Sequence, residues 1–488
     1  MPTPGGGGTG VGAIGVTTSG RGRPTTRRGT ELLLLIFATV LVTFAFVLVE
    51  ANQERKITLK ILYYGLAYLA LFGISHLAVR KWAPYADPLI LPCVALLNGL
   101  GLVMIYRIDL AKAEQAARAA KTFSGAAPRQ VLWTTLAVVL FVLVLAFVSD
   151  HRVLARYGYT LGLIGLAALI LPGVLPASLS QVNGAKVWLK LGPFSIQPGE
   201  FAKILLIVFF AAFLVAKRDL FMAAGKSFLG FEFPRARDLF PLVAALVAAV
   251  GVLALEKDLG NSLLIFGVVL VMLYVATERA SWVIIGLIPF AGACVLAYNL
   301  FSHVQQRVAN WIDPFAHYLD VGGGYQIAQS LFGLGTGGMA GTGLGAGRPD
   351  IVPDANSDFI ISAIGEELGF IGLAAVLVLY LVLAMRGLRS ALAVRDTFGK
   401  LLGGGLAFSM AWQVFVVAGG ATKLIPETGL TAPFLAYGGS SLLANYILIA
   451  LLLRISDAAR RPKTTPSKPN LPKAPIAEAN TVLVERPR

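Results

Sequence analysis

Apolar runs of about 20 residues recur along almost the whole chain, and they constrain its fold more than any other feature. A run of that length crosses the ~30 Å hydrocarbon core of a bilayer as one helix. In lipid, backbone groups are satisfied only in helices or closed barrels, and continuous apolar runs without alternation favour helices. The sequence therefore predicts an all-α, polytopic integral membrane protein with about twelve transmembrane helices. The predicted spans are 31–50, 59–79, 88–106, 129–149, 157–178, 201–216, 238–255, 259–276, 281–302, 358–385, 401–421 and 432–453.

Composition and charge agree with a membrane location. Of the 488 residues, 56% are hydrophobic and 14% are charged, and the net charge is +15. Nucleic-acid binding could explain a basic chain, but orientation in the membrane explains it better. With a cytoplasmic N-terminus, most Lys and Arg fall in the tails and in the inner loops 217–237 and 386–400, as the positive-inside rule expects. We therefore predict the cytoplasmic membrane, two cytoplasmic termini and no nucleic-acid partner, although the basic outer loop 107–129 runs against the rule.

Polar segments divide the chain into four predicted regions. Residues 1–30 and 457–488 are rich in Gly, Thr, Pro and basic residues, and this composition predicts disordered cytoplasmic tails. Residues 31–87 are predicted to form an accessory two-helix unit, set off by a polar turn. Residues 88–456 form the predicted core, whose long extracytoplasmic loop 303–357 contains 11 glycines. A structureless loop of that length is uncommon unless it is functional.

Two stretches of this loop have patterns of their own. YQIAQSLFGLG, from Tyr325, has apolar residues at helical spacing and predicts an interfacial helix on the membrane. The glycine series GTGGMAGTGLGAG, from Gly335, allows a sharp turn or a close approach of backbone to a ligand. It lacks the Lys-Ser/Thr end of a P-loop and follows no strand, so it does not predict nucleotide binding. A lid without a ligand is the simpler interpretation.

The first polar cluster at the mouth of a predicted span lies in residues 183–203, NGAKVWLKLGPFSIQPGEFAK. Glu200 and Lys203 are three residues apart on one helix face, so they can pair. An ion pair that anchors the helix at the interface is one interpretation, and two charges that line a hydrated substrate cavity are the other. Taken alone, Lys186 is an ordinary headgroup contact and Trp188 an ordinary interfacial aromatic residue.

Acidic residues also stand at the mouths of two further spans. Charged groups in hydrocarbon cost several kcal/mol each unless they are paired, hydrated or used, so intramembrane acids are functional candidates. Asp258 lies in a very short connection, where a solvated turn is the simpler interpretation. Asp358 stands where an apolar run begins, and Glu366 and Glu367 lie deeper along the same helix. Asp358 is the best placed of these acids, since a polar substrate entering from outside meets it first, but helix capping would also suit it.

The last cluster places small and hydroxyl residues at a span start, in LIPETGLTAPFLAYGGSSLLANY from Leu424. Ser440 and Ser441 can hydrogen-bond across helices, although helix packing is the simpler interpretation. The sequence contains no HExxH, GxSxG or paired CxxC motif, which disfavours zinc and serine-hydrolase chemistry. Its two cysteines, Cys93 and Cys294, fall inside predicted spans and give no disulfide or metal framework.

Together these stretches resemble one family closely, the SEDS proteins (shape, elongation, division and sporulation), which include RodA and FtsW. The family's usual wording is NGARRWI, FSFQPSEFAK, a D-L-G turn, GYQ with QSL, a glycine series, HTDFIFAVIGEELGF and LPxTGLxLPFxSYGGSSLL. This chain has a counterpart of each in the same order, over about residues 88–456. The family core has ten spans, which leaves the first two as an addition. Those two spans and the wording ANQERK and NGLGLVMIYR resemble RodA more than FtsW.

The resemblance implies a peptidoglycan glycosyltransferase that polymerises lipid II into glycan strands at the outer face of the cytoplasmic membrane, during cell elongation. It also implies a partner, a class B penicillin-binding protein, which cross-links the strands as a transpeptidase. The motif's aspartate falls on Asp358, which the resemblance implicates in catalysis. Its Glu and Lys fall on Glu200 and Lys203, and its tryptophan on Trp188. The further predicted substrate-binding residues are Lys186, Asp258, Gln326, Ser440 and Ser441.

One carboxylate is enough for the implied chemistry. We hypothesise that Asp358 takes the proton from the 4-hydroxyl of the acceptor sugar, whose oxygen then attacks the anomeric carbon of the donor with inversion. The diphosphate leaves without protonation if its charge is neutralised, by Lys203 or by a divalent metal such as Mg or Mn. Two other functions fit the same residues, a lipid II flippase and a scaffold that only anchors a synthase. A division-specific polymerase of the FtsW type is a further alternative.

Overall fold

The computed structural model describes residues 26–53, 59–181, 186–192, 194–218, 258–319 and 323–462, with short stretches at 226–228, 231–233, 243–244, 246–248 and 250–251. Helices dominate these residues. The first half contains α1 (Arg28–Asn52), α2 (Leu59–Trp82), α3 (Ile90–Arg118), α4 (Ala126–Phe147), α5 (Val153–Arg156), α6 (Gly158–Val174), α7 (Ala177–Ser180) and α8 (Pro198–Ala216). The second half contains α9 (Leu259–Thr277), α10 (Ser281–Leu300), α11 (Ser302–Ile312), α12 (Tyr325–Gly337), α13 (Ile360–Ala393), α14 (Thr397–Ala421) and α15 (Gly439–Arg460).

The predicted fold class, an all-α polytopic membrane protein, is confirmed. Ten helices among the described residues are long and apolar enough to cross a membrane. The predicted span 157–178 corresponds to α6, which is shorter, with 17 residues. The predicted span 238–255 lies largely outside the described residues, so the count of twelve stays a prediction.

Helix α3 is longer than the sequence predicts. The predicted span ends at residue 106, yet the helix continues to Arg118, so the prediction of a loop from residue 107 onward was wrong for 107–118. The tail KAEQAAR is polar but consists mostly of strong helix formers. Arg107 and Asp109 are buried there, and Asp109 Oδ2 accepts a hydrogen bond of 2.7 Å from the amide of Ala127 at the start of α4. Hydropathy alone cannot distinguish a polar helical extension from a loop.

The two N-terminal helices are packed onto the rest of the protein. Helix α1 begins at Arg28, three residues before the predicted boundary, and Arg28 pairs there with the buried Glu31. His76 Nδ1 of α2 contacts the same carboxylate at 2.7 Å. The Phe46 ring of α1 packs edge-on against Tyr106 of α3, with 5.5 Å between ring centroids. At the other end of the chain, α15 runs to Arg460, past the predicted start of the tail.

Small strands interrupt the helical fold at two loops. β1 (Leu189–Leu191) pairs antiparallel with β2 (Phe194–Ile196), and Leu189 lies opposite Ile196. This hairpin leads directly into α8, whose first helical residue is Pro198. A second antiparallel hairpin consists of β3 (Lys226–Phe228) and β4 (Phe231–Phe233).

Candidate active site

Asp358 lies in a tight turn directly before α13. The Ser357 amide donates to the Asp354 carbonyl at 2.9 Å, which closes the turn. The Tyr437 amide donates to the Asn356 carbonyl at 2.7 Å, which ties the turn to the segment before α15. The Asp358 side chain is partly exposed, whereas Phe359 and Ile360 behind it are buried. The carboxylate is therefore held at the mouth of a buried helix, where a ligand can reach it.

Charged neighbours and burial set the acidity of Asp358. Burial raises the pKa of Asp358 to about 7, the negative charges of Glu427 and Asp354 also raise it, and Arg307 opposes them. A Cβ built on Gly429 would lie 3.9 Å from both Arg307 Nη2 and Asp358 Oδ2, so the two groups face the same point. A carboxylate with a pKa near neutral is half ionised at neutral pH, which suits a general base.

Arg307 and Glu427 reach this site from separate elements. Arg307 is on α11, and its Nη1 donates to the Glu427 carbonyl at 3.2 Å. Trp311 Nε1, one turn later, donates to the Lys423 carbonyl at 3.1 Å, so α11 lies along the connection between α14 and α15. Burial raises the pKa of Glu427, and Arg307 lowers it. Neither residue was predicted from the sequence, although Glu427 is an acid inside the quoted stretch LIPETGL.

Gln326, a predicted substrate-binding residue, lies beside the same turn. It is partly exposed at the start of α12, and its Nε2 donates to Asp354 Oδ2 at 3.2 Å. The helix predicted for YQIAQSLFGLG is present as α12. Ser330 fixes α12 to α13 by a hydrogen bond to Ser362 Oγ, and to α14 by a bond of 2.7 Å to the Ala421 carbonyl. The structure therefore brings Gln326 and Asp358 into one region.

Glu200 and Lys203 form a buried ion pair. Lys203 Nζ lies 2.9 Å from Glu200 Oε2, and the two residues are 1% and 2% exposed, respectively. The same Nζ donates to Gln413 Oε1 of α14 at 2.9 Å, and Gln413 Nε2 donates to the Thr431 carbonyl at 2.8 Å. Both charges are thus neutralised within the bundle, away from its surface. A substrate contact for either residue stays a prediction.

Asp258 and Ser440 are joined through Gln197. Asp258 caps α9, since its Oδ1 accepts from the Asn261 amide at 3.1 Å. Its Oδ2 lies 3.3 Å from Gln197 Nε2, and the Gln197 amide donates to Ser440 Oγ at 2.8 Å. Burial raises the pKa of Asp258; the bonds from Asn261 oppose this, and the charge of Glu200 adds to it. These predicted site residues therefore lie in one polar network between α8, α9 and α15.

The remaining predicted site residues are Ser441, Lys186 and Trp188. Ser441 is buried, and Asn445 Nδ2 donates to its carbonyl at 2.8 Å, so its contacts are those of helix packing. Lys186 and Trp188 are half-buried in the connection before β1, where the Trp188 amide donates to the Ser180 carbonyl at 3.3 Å. Among the described residues, no hydrogen bond or ion pair joins either side chain to the Asp358 turn.

The glycine series forms the predicted turn, with the Ala346 amide donating to the Gly343 carbonyl at 3.0 Å, and it also closes around a break in α13. Gly369 has φ 66° and ψ −173°, so the helical bonds across it are lost. The Phe370 and Ile371 amides donate instead to the carbonyls of Gly338 and Met339, at 2.9 and 3.1 Å. The carbonyls of Glu366 and Glu367 accept from the Thr342 and Gly343 amides, both at 3.0 Å. The loop thus replaces the helical hydrogen bonds that the break removes.

The two acids inside α13 hold this loop in place. Glu366 Oε1 accepts from the Arg348 amide at 2.6 Å, and Glu367 Oε2 accepts from the Gly345 amide at 3.0 Å. Arg107 of α3 completes the arrangement, since its Nε lies 2.9 Å from Glu367 Oε1 and its Nη2 donates to the Gly347 carbonyl at 2.6 Å. The Glu366 and Glu367 carboxylates therefore hold the loop in place, and these hydrogen bonds offset the cost of burying the two acids.

A divalent metal has no ready-made protein site in the part of the chain that the structure describes. No three His, Cys, Asp or Glu side chains converge there to hold an ion. Mg²⁺ at a diphosphate is held by one or two carboxylates together with phosphate oxygens, so the predicted Mg or Mn stays a prediction.

Comparison with known proteins places the chain among cell-wall enzymes. The family model for the cell cycle proteins FtsW, RodA and SpoVE matches residues 87–461. A peptidoglycan glycosyltransferase RodA of Mycobacterium tuberculosis (strain ATCC 25618 / H37Rv) is 56% identical over 462 residues, which cover 94% of this chain and 96% of the relative. The corresponding protein of Mycobacterium leprae (strain TN) is 55% identical over 461 residues, with the same coverage.

More distant relatives match the larger part of the chain. The stage V sporulation protein E of Bacillus subtilis (strain 168) is 33% identical over 388 residues, which cover 79% of this chain and 100% of that protein. A solved chain from work on the structural coordination of polymerization and crosslinking by a peptidoglycan synthase complex has a TM-score of 0.53 at 25% identity. That match covers 81% of this chain and 97% of the solved chain.

Proposed function

The chain belongs to the cell cycle protein family of FtsW, RodA and SpoVE, and on that premise we propose that it is a peptidoglycan glycosyltransferase. It polymerises lipid II into glycan strands during cell elongation. The relatives named RodA are 55–56% identical over nearly the whole chain, against 33% for the sporulation protein, which supports the elongation role.

The reaction takes place at the outer face of the cytoplasmic membrane. The protein crosses that membrane many times, and the distribution of Lys and Arg supports our proposal that both termini lie on the cytoplasmic side. Its partner is a class B penicillin-binding protein, which cross-links the strands. A likeness to a chain from a peptidoglycan synthase complex, described by polymerization and crosslinking together, supports such a partnership.

Asp358 acts as the general base of the inverting transfer. Its carboxylate takes the proton from the 4-hydroxyl of the acceptor sugar, and the oxygen then attacks the anomeric carbon of the donor. The bond from that carbon to the diphosphate oxygen breaks, and the lipid-linked diphosphate leaves with the electron pair. The observation that carries this assignment is a partly exposed carboxyl, fixed by the turn before α13, whose pKa is raised to about 7.

Arg307 is the cation that we assign to the leaving diphosphate. The ammonium group of Lys203 is neutralised by Glu200 inside the bundle, whereas the Arg307 guanidinium is partly exposed and faces Asp358 across Gly429. A guanidinium binds diphosphate oxygens well because its donors form a planar fork.

Asp358→Asn tests the proposed function. The variant keeps the shape of the side chain but cannot accept the proton, and a positioned general base contributes about a hundredfold to ten-thousandfold in rate. We therefore expect polymer formation from purified lipid II to fall by at least about a hundredfold, measured on gels with the transpeptidase partner present.

Asp354→Asn is the matched control, because Asp354 lies in the same turn and is exposed. It should retain most of the polymerising activity. Near-normal polymer from Asp358→Asn would refute the base assignment. Transfer of labelled lipid II across liposomes by the wild type, with no glycan product, would refute the polymerase itself in favour of a flippase.

A further inference from the structure

The first helix ends on the glycine loop, in the stretch ANQERK that the sequence analysis singled out but the proposed mechanism does not use. Asn52 Nδ2 donates to the Leu344 carbonyl, and Gln53 Nε2 donates to the Gly345 carbonyl at 2.6 Å. Each of these bonds joins residues that are 292 positions apart in the sequence. The family match begins at residue 87, so α1 and α2 lie outside it.

Gly345 lets α1 come this close. A Cβ on Gly345 would meet the Val49 carbonyl oxygen at 3.0 Å and both Val49 Cα and Asn52 Cβ at 3.1 Å. Its φ of +87° is also a conformation that side chains rarely adopt. The glycine series predicts a sharp turn or a close approach of backbone to a ligand. At Gly345 the close approach is to α1.

From Gly345 the contacts continue to the catalytic turn. The Gly345 amide donates to Glu367 Oε2, and three residues later the Arg348 amide donates to Glu366 Oε1. The chain then runs through a short 3-10 turn, Pro349–Ile351, into the turn that contains Asp358. One segment, 345–358, is thus fixed by α1 at its first residue and carries the proposed base at its last.

A second contact joins α1 to the same loop through α3. Tyr106 Oη donates to the buried Glu50 of α1 at 2.8 Å. The next residue, Arg107, contacts Glu367 and the Gly347 carbonyl. The loop around residues 344–347 is therefore bound by α1 directly, through Asn52 and Gln53. It is also bound by Arg107, whose neighbour Tyr106 is hydrogen-bonded to α1.

We propose that Asn52 and Gln53 are positioning residues for the transferase reaction, which makes α1 part of the catalytic assembly. Their amide groups fix the loop at Leu344 and Gly345, and the loop fixes the start of α13 and the turn that presents Asp358. The role in turnover rests on the proposed function, whereas the role in ordering the loop does not.

The test compares the wild-type full-length protein with the double variant Asn52→Ala/Gln53→Ala, in detergent and with lipid II. We expect kcat to fall about fivefold, because two hydrogen bonds that hold the loop are lost, while KM changes less than twofold. Hydrogen exchange of the same samples should show faster exchange at the amides of Thr342, Gly343 and Gly345. The midpoint of thermal unfolding should stay within about 2 °C of the wild type, since the rest of the bundle is untouched.

Asn299→Ala is the matched control, because its amide donates at 2.8 Å only to a carbonyl of its own helix, that of Val295. It should change neither the exchange of the loop nor kcat. Gly345→Ala displaces α1 by a different route and should reproduce the faster loop exchange and the lower kcat.

Unchanged loop exchange in the double variant would overturn the inference whether or not the protein proves to be a polymerase. Faster loop exchange with unchanged kcat would overturn the positioning role. An inactive wild type would refute the proposed function, and the exchange result would still decide whether α1 orders the loop.

Discussion

Two charged sites lie near helix starts in this protein, the Glu200–Lys203 ion pair on α8 and Asp358 before α13, which Arg307 of α11 faces across Gly429. In the first, the opposite charges are 2.9 Å apart, Gln413 supplies a third partner, and both residues are buried. In the second, the carboxylate of Asp358 is partly exposed, and Arg307 interacts with Glu427 as well as with Asp358. The pKa of Asp358 is raised. Glu200, Lys203 and Asp358 were candidates from the same pattern, a charge at the edge of an apolar run, whereas Arg307 was not.

The difference separates a charge that is fully used by the fold from one that is left available. A buried ion pair with good geometry offsets the cost of removing two charges from water, so each charge already has a partner within the fold. A carboxylate that is crowded by like charges keeps a high affinity for protons, which is what a base requires. Mutations should therefore affect folding at the first site and chemistry at the second.

Lys203→Met should have the largest effect on stability. It leaves Glu200 buried without its counter-ion, which costs about 3–5 kcal/mol when one partner of a buried pair is removed. We expect a clear drop in the midpoint of thermal unfolding, measured by the fluorescence of the purified protein in detergent. The double variant Glu200→Gln/Lys203→Met should recover part of that loss. Asp358→Asn, in contrast, should unfold within a few degrees of the wild type. An equal loss of stability in Lys203→Met and Asp358→Asn would contradict the difference between the two sites.

The pH dependence of polymerisation should follow the ionisation of Asp358. Its pKa is raised to about 7, so the carboxyl is protonated, and inactive as a base, below that value. The rate at saturating lipid II should therefore fall about tenfold for each pH unit below 7 and level off above it. Initial rates between pH 5.5 and 8.5, with stability checked at each pH, measure this. A flat profile through pH 7 would argue against Asp358 as the base.

The smallest effects should come from the neighbours of Asp358, and they should have opposite signs. Glu427→Gln removes a like charge that raises the pKa of Asp358, so the midpoint of the pH profile should move to lower pH. Arg307→Gln removes the opposing charge, so the midpoint should move to higher pH. At pH 6.5 we expect rate changes of about two- to threefold from the change in ionisation alone. Loss of the proposed diphosphate contact should also lower the rate of Arg307→Gln at high pH, where the pH profile is level. Shifts of the pH midpoint in the same direction for both variants would contradict this electrostatic account.

Much of the fold could be predicted because membrane helices carry their signal locally. Nearly every apolar run corresponds to a described helix, and α12 was visible from the spacing in YQIAQSLFGLG. Asp358 was found for a similar reason, as an acid where an apolar run begins. The likeness of the quoted stretches to a family supplied the function, which hydropathy by itself could not.

What could not be predicted depends on contacts between distant parts of the chain. Arg107 looked like the first residue of a loop, but its partner Glu367 is 260 residues away, and burial follows only from that pairing. Arg307 and Glu427 join Asp358 through folding of three separate segments. The glycine series contains the turn that its sequence predicts, but its close approach to the backbone of α13 could not be predicted. Periodicity describes one element at a time and does not contain these partners.

The break at Gly369 makes α13 dependent on the loop that precedes it. An interrupted helix inside lipid exposes two amides and two carbonyls, and here each finds its partner in residues 338–343. Inside a bilayer the break can therefore persist only while those residues lie against α13, because the helix alone would leave the four groups unpaired.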